Sequence, residues 1–232
     1  MKLIWEAGNF DLKQKQESMG SNRKMAMYTG ILFIAAILAY GIGNSLIGLP
    51  SDDPNALSVS TGALLMLLNS GIVVAIGLLL FPVLYAFRPT LAVAYLASRI
   101  IESVLLTVGI IGLLVLPTIG GAAVQSQKVD IPWEFTFMLV QKVNYLSYQI
   151  GMLFLGSGSL LLCSCLYRSG LLPRFLAVWG WIGYGGLFVG AVFELCGMPV
   201  GVWLALPGGI FELFLGFRLL FKGFNTVSDS LR

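Results

Sequence analysis

Six runs of apolar residues, each long enough to cross a bilayer, constrain this chain more than any motif does. The hydrocarbon core of a membrane is about 30 Å thick and an α-helix rises about 1.5 Å per residue, so one crossing needs roughly 20 apolar residues. The runs lie at 27–49, 59–87, 90–119, 142–167, 175–197 and 200–221. Of the 232 residues, 57% are hydrophobic and 11% charged, too few polar side chains to cover a water-soluble globule. Segments of about ten residues with alternating polarity, which an outer-membrane barrel requires, are absent. The expected fold is therefore all-α: a polytopic membrane helical bundle of six transmembrane helices. A polar amino-terminal tail over 1–26 precedes the helical domain over 27–221, and a carboxy-terminal tail over 222–232 follows it.

Charge sets the orientation. Lys2, Lys13, Lys15, Arg23 and Lys24 precede the first span, Arg88 lies between the second and third, Arg168 and Arg174 between the fourth and fifth, and Lys222 and Arg232 follow the sixth. All of these fall on one side. The other side carries Asp52, Asp53, Lys128 and Asp130, and an uncharged turn over 196–199. The positive-inside rule then puts both termini in the cytoplasm, as an even number of spans requires. No cleavable signal peptide is expected, because residues 1–26 are charged throughout and lack an apolar core. That segment reads as a solvated tail of mixed charge, with a helix lying on the anionic inner leaflet as the alternative. The net charge of +3 reflects this asymmetry. It is not a nucleic-acid footprint, since no basic stripe with interleaved aromatics is present, so the lipid bilayer is the expected partner and nucleic acid is not. The longest loop runs over 120–133, which leaves no room for an extramembrane catalytic or sensory domain. Trp133, Trp179 and Trp181 are candidate interface anchors. Gly156, Gly158 and the glycines between Trp179 and Gly186 suit close packing of helices.

Missing residue types exclude whole classes of chemistry. With no histidine in the chain, bis-histidine haem, the usual catalytic zinc sites and any histidine proton switch are unavailable. Cys163 and Cys165 are two apart on a helix and point away from each other, and Cys196 reads as a small hydrophobe, so no disulfide is expected within the chain. No cofactor, metal-binding or activated-nucleophile motif is present. Enzymatic activity is accordingly the weakest reading.

Charges inside the spans need an explanation. Counted inward from Thr90, Arg99 lies about 14 Å and Glu102 about 18 Å into the membrane, bracketing its midplane. An unpaired charge there costs roughly 2.5–3.5 kcal/mol, so such residues face the bundle interior and find partners. A spacing of three lets Arg99 and Glu102 meet on one helical face beside Ser98, Ser103 and Thr107. In span six, Pro207, Gly208 and Gly209 precede Glu212, and this predicts a kink or short unwound segment presenting its amides to that carboxylate. Interrupted helices of this kind form midplane binding sites in transporters, although many proline kinks only assist packing. Arg218 lies near the cytoplasmic interface, where snorkelling accounts for it. Toward the outer face, Gln141, Asn144, Tyr145, Tyr148 and Gln149 share one side of span four with Lys142 beside them, and Glu194 ends span five. These form either a polar pocket open to the outside or a solvated helix end. The candidate ligand-binding residues are thus Arg99, Glu102, Glu212, Glu194, Lys142, Asn144, Tyr148 and Gln149.

R-I-I-E in span three, S-G-L-L-P-R-F-L-A-V-W-G leading into span five, and L-P-G-G-I-F-E-L-F-L-G-F-R-L-L-F-K-G-F at the end together resemble the domain-of-unknown-function 4386 family. The likeness covers nearly all of the chain after the tail, and it draws attention to Arg99, Glu102, Pro173, Arg174, Glu212 and Lys222. It implies a six-span protein of the bacterial plasma membrane and implies no activity. Two function classes stay open. In one, Arg99, Glu102 and Glu212 line a cavity that binds or transports a small polar ligand or protons. In the other, they form a dry ion-pair core in an accessory or scaffold subunit, with a second copy or another membrane protein packed on its glycine-rich spans.

Overall fold

The computed structural model describes residues 2–47, 57–126 and 133–225. Six helices follow one another: α1 Lys2–Ile47, α2 Leu57–Tyr85, α3 Pro89–Ser126, α4 Trp133–Ser169, α5 Arg174–Leu195 and α6 Gly201–Phe221. Each contains a stretch long and apolar enough to cross a membrane. A helix satisfies its backbone polar groups internally, which is what hydrocarbon demands, so the chain is a six-helix membrane bundle. The backbone of residues 2–22 continues α1 as helix.

Every helix packs on its neighbours in sequence, and α1 closes on α6, so the six form a ring. Connections over 86–88, 170–173 and 196–200 are too short to carry the chain past a neighbour, which forces antiparallel adjacency. The end of the ring where α1, α3 and α5 finish is termed the outer end, after the orientation expected from the charge asymmetry.

Glycine brings the helices together. A Cβ added to Gly30 of α1 would stand 2.5 Å from the Gly216 carbonyl oxygen of α6, and one added to Gly43 would stand 2.7 Å from the Gly62 carbonyl oxygen of α2. Between α5 and α6 the seam is longest, with Gly183 against Gly208, Gly186 against Leu204, and Gly190 against Gly201. Small residues at these points let backbones touch where lipid offers no hydrophobic drive for association.

Two elements depart from expectation. Helix α4 begins at Trp133, well before residue 142, because W-E-F-T-F-M-L-V-Q contains no glycine or proline to break a helix and Glu134 is favourably placed in the first turn. Helices α3 and α4, about 57 and 55 Å long at 1.5 Å per residue, therefore exceed the hydrocarbon thickness. Helix α6 is unbroken: Pro207 lies inside it and no unwound segment follows. Proline at this position removes the donor that would reach the Trp203 carbonyl. The turn is nevertheless held in place, because Gly183 of α5 packs directly on the Gly208 backbone. Trp181 donates its indole N–H toward Leu160 O and Ser164 Oγ of α4, at 3.3 and 3.2 Å.

A polar tie fastens the inner end. Arg218 Nη2 donates to Asn225 Oδ1 at 2.6 Å, while Asn225 donates its backbone N–H to Leu171 O at 2.9 Å and its side-chain amide to Gly170 O at 3.1 Å. Asn225 thus joins the end of α6 to the α4–α5 connection. Asn225→Ala, which removes both side-chain bonds, is expected to lower stability by about 2 kcal/mol in a reversible denaturant titration in detergent.

Candidate functional site

Tyr95, Arg99 and Glu102 are spaced four and three along α3 and share the face turned into the ring. Arg99 is 4% exposed and Glu102 2%. Arg99 Nη1 lies 3.0 Å from Glu102 Oε2, an ion pair too far off axis for an aligned hydrogen bond. Arg99 Nε reaches the Val73 carbonyl of α2 at 3.5 Å. Gly77 of α2 gives the arginine stem room, since a Cβ there would stand 3.1 Å from Arg99 Cβ. Ser103 Oγ donates to Ser70 O at 2.8 Å and Ser98 Oγ to Tyr95 O at 2.6 Å. The polar strip of α3 therefore bonds its own helix and α2, and Gly158 lets α4 close over it against Ser98.

Glu212 stands across the ring on α6. It is half-buried, and its Oε1 accepts from Tyr184 Oη of α5 at 3.0 Å. Arg99 and Glu212 lie within electrostatic reach of each other, as do Glu102 and Glu212. Spans three and six are on opposite sides of the ring, so it is their long side chains, not their backbones, that come within electrostatic reach of each other. Tyr184→Phe removes a hydrogen bond to a carboxylate and is expected to cost about 1.5–3 kcal/mol of stability, read by the same titration.

A second polar group occupies the outer half. Glu194 accepts from Tyr145 Oη of α4 and, through Oε1, from the Gly201 backbone N–H at 2.8 Å. Gly201 opens α6, so Glu194 places a carboxylate on the first free amide of that helix and joins α4, α5 and α6. Lys142 rests 5.0 Å over the Tyr145 ring. A partly open cavity of about 390 Å³ lies between the outer halves of α1, α4, α5 and α6. Tyr40 and Asn44 of α1 and Tyr145, Tyr148 and Gln149 of α4 supply its polar wall, while Met152 and residues of α5 and α6 supply the apolar one. Tyr40 and Tyr148 stack with ring centroids 5.0 Å apart. Tyr148 also lies within electrostatic reach of Glu102 and Glu212, so the cavity wall adjoins the charged cluster.

The eight candidates therefore separate into groups. Arg99 and Glu102 pair inside the ring with Glu212 within electrostatic reach, and Tyr148 and Gln149 line the cavity. Glu194 bonds Gly201 at the cavity edge. Lys142 is exposed, and Asn144 turns toward Gly109 of α3, so both lie outside the lining. Sequence reasoning passed over Tyr40, Asn44, Tyr95 and Tyr184. Tyr95 was findable, four residues before Arg99 on the same face. Tyr40 and Asn44 also sit four apart, but nothing in the sequence shows that α1 stands across the ring from α4, where Tyr40 reaches Tyr148.

This arrangement defines a class: a multi-pass helical membrane protein with an ionic cluster at the centre of a six-helix ring and a polar cavity above it. Within that class the chain belongs to the DUF4386 family, a domain of unknown function whose model matches residues 28–223. No curated protein and no solved structure is detectably similar to it.

Proposed function

We propose that the protein binds a small polar or charged solute in the outer cavity, with the Arg99–Glu102–Glu212 cluster beneath supplying the electrostatics, as a transporter or membrane receptor of the bacterial plasma membrane would. The observation that carries this reading is Glu212. Arg99 is matched by Glu102 at 3.0 Å, whereas Glu212 is held by the neutral Tyr184 and keeps partial exposure. An ionisable residue within a span is expensive, and one without a dedicated counter-ion is better explained by a ligand or a proton than by packing. The tie through Asn225 at the inner end, set against a cavity between the outer halves of the helices, supports access from the outside.

The second reading, a non-catalytic scaffold or accessory subunit, is favoured by the Arg99–Glu102 pair itself, which can serve purely to fix helix register. Cysteine accessibility separates the two. Cys163, Cys165 and Cys196 are replaced by alanine, and single cysteines are placed at the cavity positions Gln149, Leu187 and Ala205 and at the lipid-facing positions Val104 and Ile111. A membrane-impermeant thiol reagent is expected to label the cavity positions from the outer side and to leave the lipid-facing ones unlabelled. Cavity positions silent from both sides would favour the scaffold.

A further inference from the structure

Resting on the solute-binding reading above, we infer that the cavity accepts a small organic monocation of the alkylammonium class. Two observations select it: the balance of charge around the cavity and the chemistry of its wall. Three carboxylates, Glu102, Glu194 and Glu212, adjoin residues of the cavity wall without lining it, as do two cations, Arg99 and Lys142. Arg99 is paired with Glu102, and Lys142 lies within electrostatic reach of Glu194, which leaves Glu212 as the carboxylate without a cation of its own at ion-pair distance. Among the described residues no Lys or Arg lines the cavity, so an anionic solute has no counter-charge in its wall.

The wall then discriminates among cations. It presents the phenol rings of Tyr40, Tyr145 and Tyr148 beside apolar groups such as Met152 and Leu187. A ring face attracts a cation through its quadrupole, and does so more strongly once water is excluded. Lys142 already makes this contact with Tyr145, at 5.0 Å. A hard inorganic cation is a poor match, because it needs about six or more oxygen ligands to replace its hydration shell. No cluster of three or more carboxylates, cysteines or histidines placed for a metal occurs among the described residues. An alkylammonium ion is weakly hydrated and carries apolar substituents that fit the same wall. At about 390 Å³ the cavity is of ordinary small-ligand size.

The test uses the full chain in detergent with Ala205→Cys in the cysteine-free background, and choline against its uncharged isostere 3,3-dimethylbutan-1-ol. Choline is expected to protect the cysteine from the thiol reagent and to raise the melting temperature saturably, while the isostere does neither at equal concentration. Tyr148→Leu and Glu212→Gln are each expected to weaken protection about tenfold, and Tyr148→Phe, which keeps the ring, by less than about threefold. Equal protection by the isostere, or undiminished protection in Glu212→Gln, overturns the inference. A cysteine that labels readily but is never protected by choline also overturns it, and leaves the solute-binding reading standing. A cysteine that never labels overturns both.

Discussion

Glu102→Ala is expected to destabilise the protein by about 3–5 kcal/mol, enough to abolish the folded peak on gel filtration in a mild detergent. The substitution leaves Arg99, only 4% exposed, without the carboxylate that lies 3.0 Å away. Its remaining contact to the Val73 carbonyl, at 3.5 Å, is too long to compensate. Glu212 stays within electrostatic reach but on the opposite side of the ring. The double variant Arg99→Met, Glu102→Leu removes both charges and keeps the volume, and it is expected to return to within about 1–2 kcal/mol of the parent, because replacing a buried pair by apolar groups is often neutral. The coupling between the two single losses, measured as a double-mutant cycle, isolates the pair. A double variant as unstable as the single would mean that Arg99 is needed by something other than Glu102. Glu212 is the candidate, and the site would then be a three-residue unit.

The contrast between legible and hidden parts of the site follows from range. Periodicity and hydropathy act locally, so the six spans and the meeting of Arg99 with Glu102 could be read directly from spacing. Partnership between helices depends on ring closure, which no local pattern encodes. Tyr184 therefore carried no mark as the donor to Glu212, nor did Tyr40 as the residue stacked on Tyr148. The absence of an unwound segment after Pro207 has the same origin. Proline and two glycines do weaken an isolated helix, but α5 supplies packing through Gly183 that a reading of span six alone cannot include. The early start of α4 is different in kind. Glu134 and Gln141 interrupt the hydropathy of that segment without breaking its helix, so hydropathy marks a later start than the backbone takes.

The α5–α6 seam makes the second large effect. A Cβ added to Gly183 would stand 2.7 Å from Gly208 Cα and 3.0 Å from Gly208 N, and both neighbours are backbone that no rotamer change can move. Gly183→Val is therefore expected to cost about 3 kcal/mol or more, at the upper end of overpacking penalties, because relief requires the helices to separate along their length. Gly185 and Gly209 provide the control within the same two helices: nothing lies within 4 Å of a Cβ at either. There, alanine is expected to be neutral or to stabilise by up to about 1 kcal/mol through helix propensity alone. Separation at Gly183 would also shift α6 relative to α5, and with it the Tyr184–Glu212 bond, since Tyr184 follows Gly183 directly and Glu212 lies one turn beyond Gly208. A Gly183→Val protein that unfolds with the parent's midpoint would mean that α6 can slide or tilt at little cost. The seam would then be a hinge, and the cavity it borders would be free to open and close against it.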